Sequence, residues 1–108
     1  MDIESIKRIL SANKEKQFVQ RILTPEKYPK LDLGNGQYAS HLMSWGQVGN
    51  KYVVYPTVLP EGKGLKQHDP RGAWEIVKQN GEYIVFDTPE EADLFSRMYK
   101  QYWNTGGE

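Results

Sequence analysis

The stretch EYIVFDTPEEADLFSRMYKQYW, residues 82–103, decides the fold because it encodes two joined elements. Residues 82–86 are mostly β-branched or aromatic, a composition typical of a strand. Thr88 and Glu91 are spaced as a capping box with Pro89 at the first helical position, which predicts the start of a helix. Apolar residues then recur at helical spacing: Ala92, Phe95, Met98 or Tyr99, and Tyr102. The pattern predicts a strand followed by a helix that packs on a sheet.

Two short helices are predicted in residues 2–23, because a polar stretch at 11–16 interrupts the apolar spacing near Asn13. Their apolar stripes are Ile3, Ile6, Ile9 and Leu10 in the first, and Phe18, Val19, Ile22 and Leu23 in the second. Residues 24–30 should then form an extended connection, since the residue before a proline is pushed out of helical geometry.

The middle of the chain reads as antiparallel strands. A turn is predicted at Asn35-Gly36, and two strands, residues 38–48 and 51–59, are joined by Gly49-Asn50. Pro56 should place the second strand at an edge or at a bulge, because proline has no N–H to donate. Residues 61–64 are predicted to be a flexible tip.

A third helix should begin at Asp69-Pro70 and end at Asn80-Gly81, which are typical first and last residues of a helix. The predicted fold class is therefore α+β. We expect a small antiparallel sheet of three to four strands, with the N-terminal helices, the middle helix and the C-terminal helix packed on one face. The 108 residues should form a single domain, with a helical segment at 1–23, a sheet and helix core at 31–103 and a frayed tail at 104–108.

Composition excludes several classes of function. Fourteen acidic and fourteen basic residues cancel, which argues against general binding to nucleic acid or to an anionic membrane. The absence of cysteine removes disulfides, thiolate nucleophiles and thiolate-bound zinc. No apolar run has the length of a membrane span, and the first residues lack the pattern of a signal peptide.

Several residue groups resemble catalytic or metal sites, and each has a structural interpretation that we favour. Ser40 and His41 would point to opposite faces of a strand, and His68-Asp69 lacks further ligands. The acidic residues Glu90, Glu91 and Asp93 suit a helix start, and the glycine pairs at 34–36 and 62–64 suit turns. We expect no enzymatic activity, no cofactor, no metal and no small-molecule substrate.

An excess of aromatic residues is the feature that indicates function. A core of this size does not obviously need them all, and tyrosine and tryptophan often anchor protein interfaces. Packing beneath the N-terminal helices is the alternative. The stripe on the first helix would also be adhesive if it does not fold back. The candidate protein-interaction residues are Trp45, Tyr52, Tyr55, Tyr102, Trp103, Ile3, Ile6 and Leu10.

Five segments resemble a module of tailed bacteriophages. They are FVQRIL (18–23), LGNG (33–36), SHLM (40–43), YVVYPTV (52–58) and GEYIVFDTPEEADLF (81–95). Similar segments occur as small phage proteins and as stretches of larger virion-associated polypeptides. The resemblance implies a phage origin, and no reaction, ligand or catalytic residue comes with it.

The leading hypothesis is a non-enzymatic phage structural or virion-associated protein that acts through self-association or contacts with other virion proteins. The alternative is a small phage-encoded inhibitor or adaptor that binds a host protein, for example a defence complex. Either would be made in the host cytoplasm, and a structural protein would be carried in the virion. A third hypothesis is nucleic-acid binding through the basic residues of the N-terminal helices, Lys7, Arg8, Lys14, Lys16 and Arg21.

Overall fold

The computed structural model describes residues 1–24, 31–34, 37–39, 43–61, 64–99 and 102, and it has the predicted α+β class. The helices are α1 (Ile3–Ala12), α2 (Gln17–Leu23), α3 (Pro70–Asn80) and α4 (Pro89–Met98). The strands are β1 (Leu31–Gly34), β2 (Gln37–Ala39), β3 (Met43–Val48), β4 (Lys51–Pro56), β5 (Val58–Glu61), β6 (Gly64–Gln67) and β7 (Ile84–Phe86).

The helix ends follow the predicted chemistry. Asp69 accepts a hydrogen bond from the Gly72 N–H (3.2 Å) at the start of α3, and Gly81 ends that helix with a left-handed φ of 75°. Thr88 accepts from the Glu91 N–H (3.2 Å) at the start of α4, with Pro89 as the first helical residue. The predicted break near Asn13, which separates α1 from α2, is also confirmed.

Among the described residues, the strands form one three-stranded sheet in the order β3-β4-β7 and two further pairs, β1-β2 and β5-β6, all antiparallel. The predicted strand 51–59 is divided at Pro56 into β4 and β5, and β6 was not predicted. Pro56 lies at the end of a central strand rather than at an edge. Its missing N–H costs nothing there, because β7 pairs only with Tyr52 to Val54.

The expectation that all helices cover one face of the sheet is wrong. Val54, Ile84 and Phe86 face the larger core, which contains buried residues of α1, α2 and α4. Val53 and Tyr55 point to the opposite face, where α3 supplies Ala73 and Val77. Because β4 is buried on both sides from Val53 onward, each face needs its own cover.

The N-terminal helices fold back onto the larger core. Ile6 and Leu10 of α1 and Phe18, Val19 and Ile22 of α2 are fully buried in it. A carboxylate from a distant part of the chain holds α2, since Glu82 Oε2 and Oε1 accept from the N–H groups of Gln17 (3.2 Å) and Phe18 (3.0 Å). This satisfies two amides that no side chain of α2 caps.

Three predictions fall on residues outside the described ranges: the turn at Asn35-Gly36, the Ser40-His41 pair and the tail at 104–108. Two more lie mostly or partly outside them, namely the connection at 24–30 from residue 25 onward and the tip at 61–64 at residues 62–63. The ends of that tip, Glu61 and Gly64, pair with each other in β5 and β6.

Candidate protein-interaction surface

Trp45 and Tyr52 are the predicted interaction residues that the structure brings together with part of each ring accessible. They lie on neighbouring strands with ring centroids 6.3 Å apart in an edge-to-face arrangement. Both pack against the larger core, and the Trp45 indole N–H donates to Asp93 Oδ1 (3.2 Å). Their contacts within the chain therefore already use much of their surface.

Two further predicted tyrosines serve the interior. Tyr55 is buried and packs on Trp74, with ring centroids 5.4 Å apart. Trp74 in turn packs on Tyr83, with ring centroids 5.3 Å apart. Tyr102 is buried in the larger core, while Trp103 lies outside the described residues. The aromatic excess is thus partly explained, because two cores, one on each side of the sheet, bury more rings than a single core would.

The predicted stripe on α1 is also turned inward. Ile6 and Leu10 are fully buried, and Ile3 is half-buried against the same core. Because Ile6 and Leu10 cover the sheet, the inward face of α1 is not available to a partner.

The residues that resembled catalytic or metal sites take structural positions in the described part of the chain. Glu91 accepts from the Thr88 hydroxyl (3.0 Å), and Asp93 pairs with Arg97 (2.8 Å) as well as with Trp45. No group of three potential metal ligands occurs among the described residues. Within the same residues, no helix is long and apolar enough to cross a bilayer.

The five basic residues near the N-terminus do not form one surface. Arg21 is only 1% exposed and lies near Tyr99. Burial raises the pKa of the Tyr99 phenol, and the Arg21 charge lowers it to a lesser extent. Lys16 pairs with Glu15 (3.2 Å). A buried guanidinium is not available to a phosphate backbone, so this region offers less positive surface than its sequence indicates.

A groove of about 280 Å³ lies between α1 and β7. We call it the β7 groove. One wall is the side of α1 and the other is the edge of β7, with Glu91 of α4 at one end. Its lining residues are Arg8, Ile9, Ala12, Asn13, Ile84, Val85, Phe86, Asp87 and Glu91.

The hydrogen-bond pattern of the sheet shows which backbone groups face this groove. Gly49, at φ 62°, and Asn50 form a two-residue hairpin, so the flanking pair Val48 and Lys51 is hydrogen-bonded. By alternation, Val53 bonds toward β3, while Tyr52 and Val54 bond toward β7. The N–H and C=O of Val85, which lies opposite Val53, therefore point away from β4.

The side chain of Val85 adds an apolar element to this edge of β7. It is 50% exposed, the largest value among the exposed large apolar residues of the described structure. The sequence contained a signal that was missed: in a strand where Ile84 and Phe86 point inward, an outward position is ordinarily polar. Arg8, Asp87 and Glu91 were missed because only the fold brings α1 to the edge of β7.

Comparisons with protein-family models, with curated proteins and with solved structures give no match for this chain.

Proposed function

We propose that this protein is a non-enzymatic phage protein, structural or virion-associated, that acts through protein–protein contacts. The observation that carries the proposal is the outer edge of β7, where an exposed valine and backbone groups that no other described residue pairs with border a groove. The resemblance of residues 18–95 to a tailed-phage module supports the phage context. The partners would be other virion proteins.

The β7 groove has the properties of a protein-binding surface rather than of an ordinary wet face. A sheet edge is a template for another chain, and proteins protect an edge that they do not use with charges, with proline or by keeping the strand very short. β7 has only three residues, but its outward-facing side chain is the apolar Val85 rather than a charged residue. Because an exposed apolar residue beside free N–H and C=O groups favours pairing with another chain, the surface is suited to binding a protein.

Fractionation of the infected cell tests the proposal. Particles of the phage that encodes the chain would be purified on a density gradient and probed for the protein by quantitative mass spectrometry. We expect a constant copy number per particle that resists a salt wash. Ala12→Arg, which places a bulky charge in the groove, should reduce this number, while Ser11→Arg on the neighbouring exposed position should not.

The alternative function, an inhibitor or adaptor that binds a host protein, has a different result in the same experiment. The protein would be absent from particles and would migrate in the lysate in a complex with a host protein. A protein that is absent from particles and migrates alone at its monomer mass would contradict both functions.

A further inference from the structure

We infer that the β7 groove binds an extended segment of the partner protein, which adds to the sheet as an antiparallel strand beside β7. The segment would have three consecutive apolar residues, the central residue and its two neighbours, and would carry a lysine or arginine at one end. This inference rests on the proposed function and specifies how the partner is held.

The first support is the hydrogen-bonding capacity of the edge. The N–H and C=O of Val85 point away from β4, as the alternation from the Gly49-Asn50 hairpin requires. Among the described residues, no other group forms a hydrogen bond with the N–H or the C=O of Val85. One residue of an added antiparallel strand would take both groups at once, as a closely spaced pair of hydrogen bonds.

The second support is the apolar surface on both faces of the new strand. The segment's central residue would lie opposite Val85 and place its side chain beside the exposed Val85 side chain. Its two neighbours would point to the other face, toward Ile9 and Ala12 on the wall formed by α1. Apolar residues at all three positions would therefore be buried, which predicts a run of β-branched residues.

The third support is charge. The residues that line the groove include two carboxylates, Asp87 and Glu91, and one guanidinium, Arg8. Asp87 is already paired with Lys51 (2.6 Å), whose positive charge offsets that of the carboxylate. Glu91 accepts from the Thr88 hydroxyl and is in no ion pair of the described residues, so a basic residue in the bound segment would pair with Glu91.

The geometry favours a single segment over a second copy of this chain. Two copies joined antiparallel through β7 would be related by an axis perpendicular to the sheet, so both α1 helices would lie on the same face. Their β7 strands would be about 4.8 Å apart, whereas a helix with side chains is about 10 Å wide. Because α1 already borders the edge of β7, the two helices would collide.

A display library of random dodecapeptides, selected against the immobilised full chain, tests the inference and requires no identified partner. A selected peptide would then be titrated by fluorescence anisotropy against wild type and three variants. Val85→Pro removes the outward N–H and spares the bonds to β4, and Ala12→Arg fills the groove from α1. Ser11→Arg is the matched control, because Ser11 is an exposed neighbour that does not line the groove.

We expect Val85→Pro and Ala12→Arg each to weaken binding about tenfold or more, the loss expected for one hydrogen bond or a blocked contact. Ser11→Arg should change it less than about twofold. Selected peptides should share an apolar run with a basic residue, and replacing that residue by glutamate should weaken binding. Circular dichroism would verify that each variant is folded, and Ala12→Arg alone decides the result if Val85→Pro is not.

Three outcomes would overturn the inference: no peptide is selected, selected peptides bind all variants equally, or the wild type is a dimer that Val85→Pro dissociates. The last would identify a second copy as the occupant. None of these outcomes decides the proposed function, which is tested separately by the presence of the protein in purified particles. Absence from particles together with groove-dependent peptide binding would refute the virion role and leave the binding mode intact.

Discussion

Glu82 illustrates how one side chain far along the chain can determine where a helix begins. Its carboxylate accepts from the N–H groups of Gln17 and Phe18, so it substitutes for the missing cap of α2. It also lies two residues before β7. Hydrogen bonds to Glu82 therefore connect the start of α2 to the segment that precedes β7, and a substitution of Glu82 tests their contribution.

Glu82→Ala should lower the free energy of unfolding by about 1–2 kcal/mol, because two amides at the start of α2 lose their acceptor. Glu75→Ala is the matched control, since Glu75 is an exposed acid whose described ion pair is with Lys78 on α3. That change should stay within about 0.5 kcal/mol. Urea denaturation at neutral pH would measure both, and equal effects would contradict the capping role.

Tyr99 should make the fold sensitive to alkali. Burial raises the pKa of its phenol above the unfolded value of about 10. The stability that it contributes is fully present below that unfolded value and is lost as the pH rises toward the raised folded value. We expect Tyr99→Phe to lose less stability than wild type above pH ~10, by up to about 1.4 kcal/mol per pH unit.

Urea denaturation from about pH 8 to pH 11 would measure this difference. Every other tyrosine is common to both proteins, so the difference between the two curves isolates Tyr99. Parallel curves across this range would show that the phenol is not buried in the folded state.

At the scale of elements, helix ends were the most predictable part of the fold. Asp69, Gly81 and the Thr88–Glu91 pair each act as the sequence predicts, because caps and left-handed ends depend on local chemistry. The strand boundaries were less predictable. The division of residues 51–59 depends on where β7 and α3 contact the sheet, and neighbouring residues do not encode those contacts.

Gly81→Ala should destabilise the protein by about 1 kcal/mol, because φ at Gly81 is 75° and a Cβ is strained in that region. Gly46→Ala is the control, since Gly46 lacks a positive φ and an added Cβ would meet no atom within 4 Å. That substitution should be neutral or slightly stabilising. Thermal denaturation of both variants would test the assignment, and a destabilised Gly46→Ala with an unaffected Gly81→Ala would contradict it.

At the scale of the whole molecule, helices cover both faces of the sheet, whereas the sequence predicted that they cover one. The sequence predicted that α1 carries an apolar stripe, but its use could not be read from spacing alone. Ile6 and Leu10 form core contacts, so a truncation of residues 1–13 would expose the larger core instead of removing a separate assembly surface. Val85, the most exposed large apolar residue of the described structure, lies instead at the sheet edge, where the fold places it beside α1.

The candidate site was predicted only in part, for a related reason. Aromatic composition indicated Trp45 and Tyr52, which the structure pairs and leaves partly accessible. It could not indicate the β7 groove, because Arg8 and Ile9 are far in sequence from Val85 and Glu91. A strand lies at an edge when only one of its sides is paired, and this can be known only from the order of strands in the sheet.

The exchange rate of the Val85 amide hydrogen, measured by NMR with and without a selected peptide, tests the central claim most directly. In the free protein, we expect Val85 to exchange rapidly while Ile84 and Phe86, which bond to β4, are protected. Added peptide should slow exchange at Val85 to the rate of its neighbours. A Val85 amide that is already protected in the free protein, or that the peptide leaves unchanged, would contradict the account.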